Sequence, residues 1–135
     1  MPDPCVLFVC VKNAGKSQMA AALLRQLAEG RVEVHSAGTR PGGGLNDLSR
    51  QVVEEVGASM DGESTKPVDP DLLRRADHVI VVGSEARLPP VGGMRASITT
   101  WELDDPGARG VDGIERMRLL RDEMAERVRR LLADI

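Results

Sequence analysis

The chain has 135 residues, 29% of them charged and 41% hydrophobic, with a formal net charge of -3. That length suits one compact domain rather than two, so residues 1–135 are expected to form a single domain. The mildly acidic balance gives no electrostatic footprint for nucleic acid or an anionic membrane; no apolar stretch approaches the ~18 residues of a membrane span and the N-terminus lacks signal-peptide character, so a cytoplasmic protein is expected.

Val6-Leu7-Phe8-Val9 is a short apolar run that reads as a buried strand, with Cys10 at its end. Val11-Lys12-Asn13-Ala14-Gly15-Lys16 then reads as a loop opening into a helix from Ser17 to Ala28, whose Met19, Ala20, Leu23, Leu24 and Leu27 recur at helical spacing before Gly30 stops it. Val32 to Ser36 alternates as a second strand and runs into a glycine-rich loop through Gly44, for which a lid and a plain linker both remain open. Asn46 is placed to cap a helix that turns Leu48, Val52, Val53 and Val56 inward and ends at Gly57.

Residues 58–68 are polar and turn-rich, and Asp69 or Asp71 can cap a short helix through Ala76. His78-Val79-Ile80-Val81-Val82 has the continuous apolar character of a strand covered on both faces. Residues 83–96 read as loop, Ile98 to Trp101 as a fourth strand, and Ile114 to Leu132 as a helix with Ile114, Met117, Leu120, Met124, Val128 and Leu131 on one face and arginines on the other. Strands alternating with helices predict an α/β fold: one three-layer domain with a four-stranded, mostly parallel sheet and its ligand site at the strand C-termini. Cys10, Ser36 and Asp105 are all expected at that edge.

The chemistry concentrates at Cys10. A loop running into a helix N-terminus aims backbone N–H groups at a common point, which favours phosphate-like anions and a reactive thiolate. Cys10 is read as the nucleophile, the N–H groups of Val11, Lys12, Asn13, Ala14, Gly15, Lys16 and Ser17 as the oxyanion cradle, Lys16 as added positive charge and the Ser17 hydroxyl as a donor to the thiolate. Asp105, in Asp104-Asp105-Pro106, can act as general acid, although Asp-Pro also opens ordinary turns. Two other readings stay open. Cys10 can be a core cysteine, and with glycine in its place residues 10–17 would match the G-x-x-x-x-G-K-S nucleotide loop.

The sequence has two cysteines. A Cys5–Cys10 disulfide is excluded on a strand, where the α-carbons would lie roughly 16 Å apart against less than about 7 Å needed. His35 and His78 stand without ligand spacing, so no metal is expected and both are read as incidental.

Val9 to Ala20, Ser36-Ala37-Gly38-Thr39 and Trp101 to Pro106 together resemble the low-molecular-weight protein tyrosine phosphatase family, and within it the arsenate reductases. The resemblance spans nearly the whole chain. It implies Cys10 as nucleophile, Ser17 as thiolate partner and Asp105 as acid. The family's loop closes with arginine where this chain has Lys16, which resembles some actinobacterial members. Aromatic residues of a phosphotyrosine cleft are absent, since the chain has no tyrosine and Gly107 and Ala108 follow Pro106. Thioredoxin-coupled members carry two further cysteines after the third strand; Gly83 to Gly93 has none. The chain thus resembles single-cysteine, mycothiol-dependent arsenate reductases. That implies an arsenate or phosphate oxyanion as substrate, no bound cofactor, mycothiol or a similar low-molecular-weight thiol as co-substrate and a mycoredoxin or glutaredoxin-like partner. Ala21 stands where some members place a potassium-binding glutamate, so no bound cation is expected there. A phosphomonoesterase and a non-catalytic oxyanion-binding module are the alternatives.

Overall fold

A computed structural model describes residues 3–135. Along the chain come β1 (Cys5–Cys10), α1 (Lys16–Ala28), β2 (Glu33–Gly38), α2 (Asp47–Glu54), α3 (Pro70–Arg75), β3 (His78–Val82), β4 (Ile98–Trp101), a 3-10 turn (Pro106–Arg109) and α4 (Gly113–Asp134). The four strands form one parallel sheet in the order β2-β1-β3-β4. This is the expected α/β architecture.

Every residue of β1 is buried because the strand lies centrally with helices on both sides. Val6, Phe8, Val34, Ile80 and Val82 face α1, α2 and α4, meeting Met19, Leu24, Val52, Met124 and Val128. Leu7, Val9, Val79 and Val81 face the opposite layer, where Leu73 and Ala76 of the α3 segment and Leu88, Val91 and Met94 of the long β3–β4 connection cover them. Phe8 also packs obliquely on Trp101, with ring centroids 5.7 Å apart. Each fully buried large apolar side chain contributes roughly 1.5–3 kcal/mol, so β1 is anchored from both faces before it delivers Cys10 to the sheet's C-terminal edge.

Two expectations need correction. β2 continues to Gly38, which pairs with Cys10, so Ser36 is a buried mid-strand residue and not part of the edge. Helix α2 stops at Glu54, which leaves Val56 42% exposed rather than inward. Helix α4 opens at Gly113, whose φ of +63° is available to glycine at little cost.

Candidate active site

The 11–15 loop is held from outside by a ladder of main-chain bonds. Thr39 N–H donates to the Cys10 carbonyl (3.0 Å), Arg40 to Val11 (2.8 Å), Gly42 to Lys12 (2.9 Å) and Asn46 to Ala14 (2.7 Å). In a trans peptide the next N–H points opposite to the carbonyl, so the Val11, Lys12, Asn13 and Gly15 N–H groups face away from this ladder, and that of Asn13 meets the Cys10 sulfur. The approach is close: a Cβ on Gly38 would lie 2.7 Å from the Val11 carbonyl oxygen and 3.0 Å from Asn13 N.

Cys10 ends β1 and is 7% exposed. Its sulfur has two hydrogen-bond partners, the Asn13 N–H at 3.2 Å and Ser17 Oγ at 2.9 Å. Asn13 Nδ2 donates to the same Ser17 Oγ at 2.8 Å, which leaves the Ser17 proton directed at sulfur. Both bonds suit a thiolate, the form that attacks. Asn13 adopts φ 55°, a left-handed conformation that asparagine tolerates better than most residues.

Asn13 is fully buried, and its Oδ1 accepts from Gln18 Nε2 (3.2 Å), Lys66 N–H (3.1 Å) and Lys66 Nζ (3.5 Å). Lys66 Nζ also donates to the Ser64 carbonyl, and partial burial pushes its ammonium below the usual lysine range. Gln18 and Lys66, together with Arg116 on the cleft wall, are site residues that sequence reasoning missed. Lys66 lies 53 positions from Asn13 in a polar stretch with no periodicity, and the one available signal was a glutamine on the otherwise apolar face of α1.

A cleft of about 330 Å³ opens over the loop, lined by Cys10, Val11, Lys12, Ala14, Gly15 and Lys16 and walled by Val82, Glu85, Arg116, Met117 and Leu120. No aromatic side chain lines it among the described residues. Lys16 Nζ stands 3.7 Å from Glu85 Oε2, in the space left by Gly83 at φ +91°.

Asp105 reaches the same region from beyond β4. Its two carboxylate oxygens each accept from Arg116, Oδ1 from Nε and Oδ2 from Nη2, both at 2.8 Å, and Oδ1 also accepts the Gly107 N–H at 2.9 Å. The Arg116 fork first, then the Gly107 N–H, holds the carboxyl far below the usual aspartate range. Asp105 thus serves as a cap and an ion-pair partner here, an arrangement that favours its ionised form. Asp104 pairs with Arg109 instead.

At the opposite sheet edge, β1–β2 register gathers Cys5, Glu33 and His35, whose donor atoms lie within 4.8 Å of one another. Arg75 bonds both Glu33 oxygens (3.2 and 2.6 Å) and approaches Cys5 Sγ at 3.8 Å, so a guanidinium already neutralises this cluster. His35 is therefore not isolated, contrary to the sequence reading: it bonds Glu33.

The model for "Low molecular weight phosphotyrosine protein phosphatase" matches residues 5–135. The glutaredoxin arsenate reductase of Synechocystis is 30% identical over 131 residues, covering 96% of this chain and 97% of its own. A solved arsenate reductase in its phosphate-binding state superimposes with a TM-score of 0.81 at 30% identity, covering 98% of each chain. The thioredoxin-dependent arsenate reductase of Corynebacterium glutamicum gives 0.79 at 35% identity; the match covers 98% of this chain and 62% of that longer one.

Proposed function

Because this chain belongs to the low-molecular-weight phosphotyrosine protein phosphatase family, we propose that it is an arsenate reductase in which the Cys10 thiolate forms a covalent arsenate adduct and an external thiol resolves it. The observation that carries the proposal is the sulfur of Cys10 placed between the Asn13 N–H and the Ser17 hydroxyl in a braced loop. The relatives named arsenate reductase and a cleft walled by Val82, Met117 and Leu120 without aromatic rings support arsenate over an aryl phosphate.

Arsenate, a tetrahedral oxyanion, sits against the N–H groups of residues 11–17 with Lys16 adding charge. The Cys10 sulfur attacks arsenic, the S–As bond forms, an As–O bond breaks, and the departing hydroxyl leaves as water with a proton from Asp105. Arsenic stays pentavalent. Asp105 must first leave its ion pair with Arg116 to carry that proton.

Cys5 is an unsuitable resolving thiol. It sits at the far end of β1, buried, with its thiol pushed up to about 11 by burial and by the neighbouring Glu33. A low-molecular-weight thiol of the mycothiol type therefore attacks arsenic and returns Cys10 as thiolate. A mycoredoxin or glutaredoxin-like thiol then attacks the sulfur of the released conjugate, and arsenic keeps the S–As electron pair and becomes trivalent. No bound cofactor takes part in this scheme, and the cytoplasm is the proposed location.

The test mixes reduced protein with arsenate, mycothiol, mycoredoxin and its NADPH-driven reducing system beside a Cys10→Ser control, with aryl phosphate hydrolysis measured in parallel. Cys10-dependent NADPH consumption with little phosphate release is the expected result. Phosphate release without arsenate turnover would reassign the chain as a phosphomonoesterase, and silence in both assays would leave an oxyanion-binding module.

A further inference from the structure

Lys12, Lys16, Arg116 and Glu85 line the cleft, and two ion pairs meet there: Lys16 with Glu85, and Arg116 with Asp105, which is outside the lining itself. The two pairs differ in kind. Lys16 offers a point charge 3.7 Å from its partner, whereas Arg116 spends a planar fork on Asp105 with both bonds at 2.8 Å. A tetrahedral oxyanion bound beside Cys10 presents the same paired oxygens that Asp105 presents, with equal or greater charge, to a guanidinium that already lines the cleft. The Arg116 side chain is 36% exposed and rises from the first turn of α4, so the fork can turn without disturbing the core.

We propose that Arg116 is the oxyanion-binding guanidinium of this site, held in reserve by Asp105, and that its transfer to the bound oxyanion frees Asp105 to carry the proton that the leaving oxygen needs. This inference rests on the oxyanion-site reading above. The groups facing Asp105 are Arg116 from α4, the Gly107 N–H of the 3-10 turn and, through its charge, Lys16 of α1. Once Arg116 bonds the oxyanion, Asp105 has lost its fork and gained an anionic neighbour, and both changes favour protonation. It takes the proton from solvent and passes it to the hydroxyl leaving arsenic, which departs as water. Arg116 and Asp105 thus form an exchange pair in which substrate arrival arms the acid.

The experiment measures inorganic phosphate affinity from the protection of Cys10 against iodoacetamide in the wild-type protein, Arg116→Gln, Arg116→Lys, Asp105→Asn and the Arg116→Gln/Asp105→Asn double variant. Urea midpoints establish that each is folded. Arg116→Gln is expected to weaken phosphate binding about tenfold or more, the scale of a lost charge-assisted fork, and Arg116→Lys to recover part of that loss. Asp105→Asn is expected to tighten binding at least about threefold, since the fork is no longer contested. Removal of a negative charge alone would also tighten binding, but that gain would persist in the double variant, whereas a gain acting through Arg116 disappears there. Equal phosphate affinity in wild type and Arg116→Gln, or a gain that survives in the double variant, overturns the inference while leaving the oxyanion site intact. No protection in the wild-type protein would overturn both.

Discussion

Asn13→Asp isolates the control of Cys10 by a single proton. In the native site Asn13 Nδ2 donates to Ser17 Oγ at 2.8 Å, so the serine has its own proton free for the sulfur 2.9 Å away. An aspartate offers an acceptor at that position, and the Ser17 proton turns from sulfur to carboxylate. The lost bond is of the charge-assisted type, about 1.5–3 kcal/mol, which corresponds to Cys10 alkylation slower by roughly 10- to 150-fold. Stability should change far less, because aspartate also tolerates φ 55° and its carboxylate would keep the Lys66 N–H and pair with the Lys66 ammonium. Asn13→Ala is the contrasting variant: it loses both sets of bonds and the left-handed preference, at about 2–4 kcal/mol. The assay is iodoacetamide alkylation of Cys10 followed by mass spectrometry at pH 7, with urea unfolding in parallel and buried Cys5 as the internal unreactive thiol. Alkylation of Asn13→Asp at the wild-type rate in a folded protein would refute the proton-direction argument.

Gly38→Ala pushes a Cβ into the Val11 carbonyl oxygen and Asn13 N, so it should cost about 1–3 kcal/mol and slow Cys10 alkylation, whereas Gly43→Ala, with open space around it, should do neither; equal urea midpoints for the two would discard this account. Met124→Ala empties a fully buried position between α4 and the sheet and should lower stability by about 2–5 kcal/mol in urea titration, with a loss under 1 kcal/mol counting against the packing described. Glu33 is held down to about 2 by the Arg75 fork and then by His35, against 4.5 for a free glutamate. Its folded-state value is depressed, so its contribution is complete above about pH 4.5 and disappears as pH falls toward about 2. With 39% of the side chain exposed, screening keeps that contribution below about 1 kcal/mol, and Glu33→Gln should flatten the acid limb of the urea midpoint between those pH values; an unchanged limb would place the acid sensitivity elsewhere.

Local pattern carried the reading furthest where one structural period dominates. His78–Val82 and Ile98–Trp101 were legible to the residue because apolar and β-branched runs end there in Gly83 and Glu102. β1 and β2 ran longer than their apolar cores because pairing with a neighbour, Cys5 with Glu33 and Cys10 with Gly38, settles where a strand ends. Of the site, the Cys10–Ser17 contact was legible, since seven residues of loop and helix close it locally. The Asn13–Lys66 bond and the Asp105–Arg116 fork were not. The first joins segments 53 residues apart, and the second depends on which arginine of a many-arginine helix turns toward the cleft rather than toward water.

The outer ladder bracing the 11–15 loop uses peptide groups on both sides, from residues 39, 40, 42 and 46 to carbonyls of 10, 11, 12 and 14. A point substitution removes a side chain and leaves those peptide groups in place, proline apart. The fold of the loop is therefore insulated from most mutation at Arg40, which joins the ladder through its peptide group, and at Gly43 and Gly44, whose surroundings are open, whereas Leu45 packs against the core. Such a division separates what evolution must keep from what it can vary. It makes Arg40, Gly43 and Gly44 natural places to diversify this protein in the laboratory while every library member inherits the same braced loop.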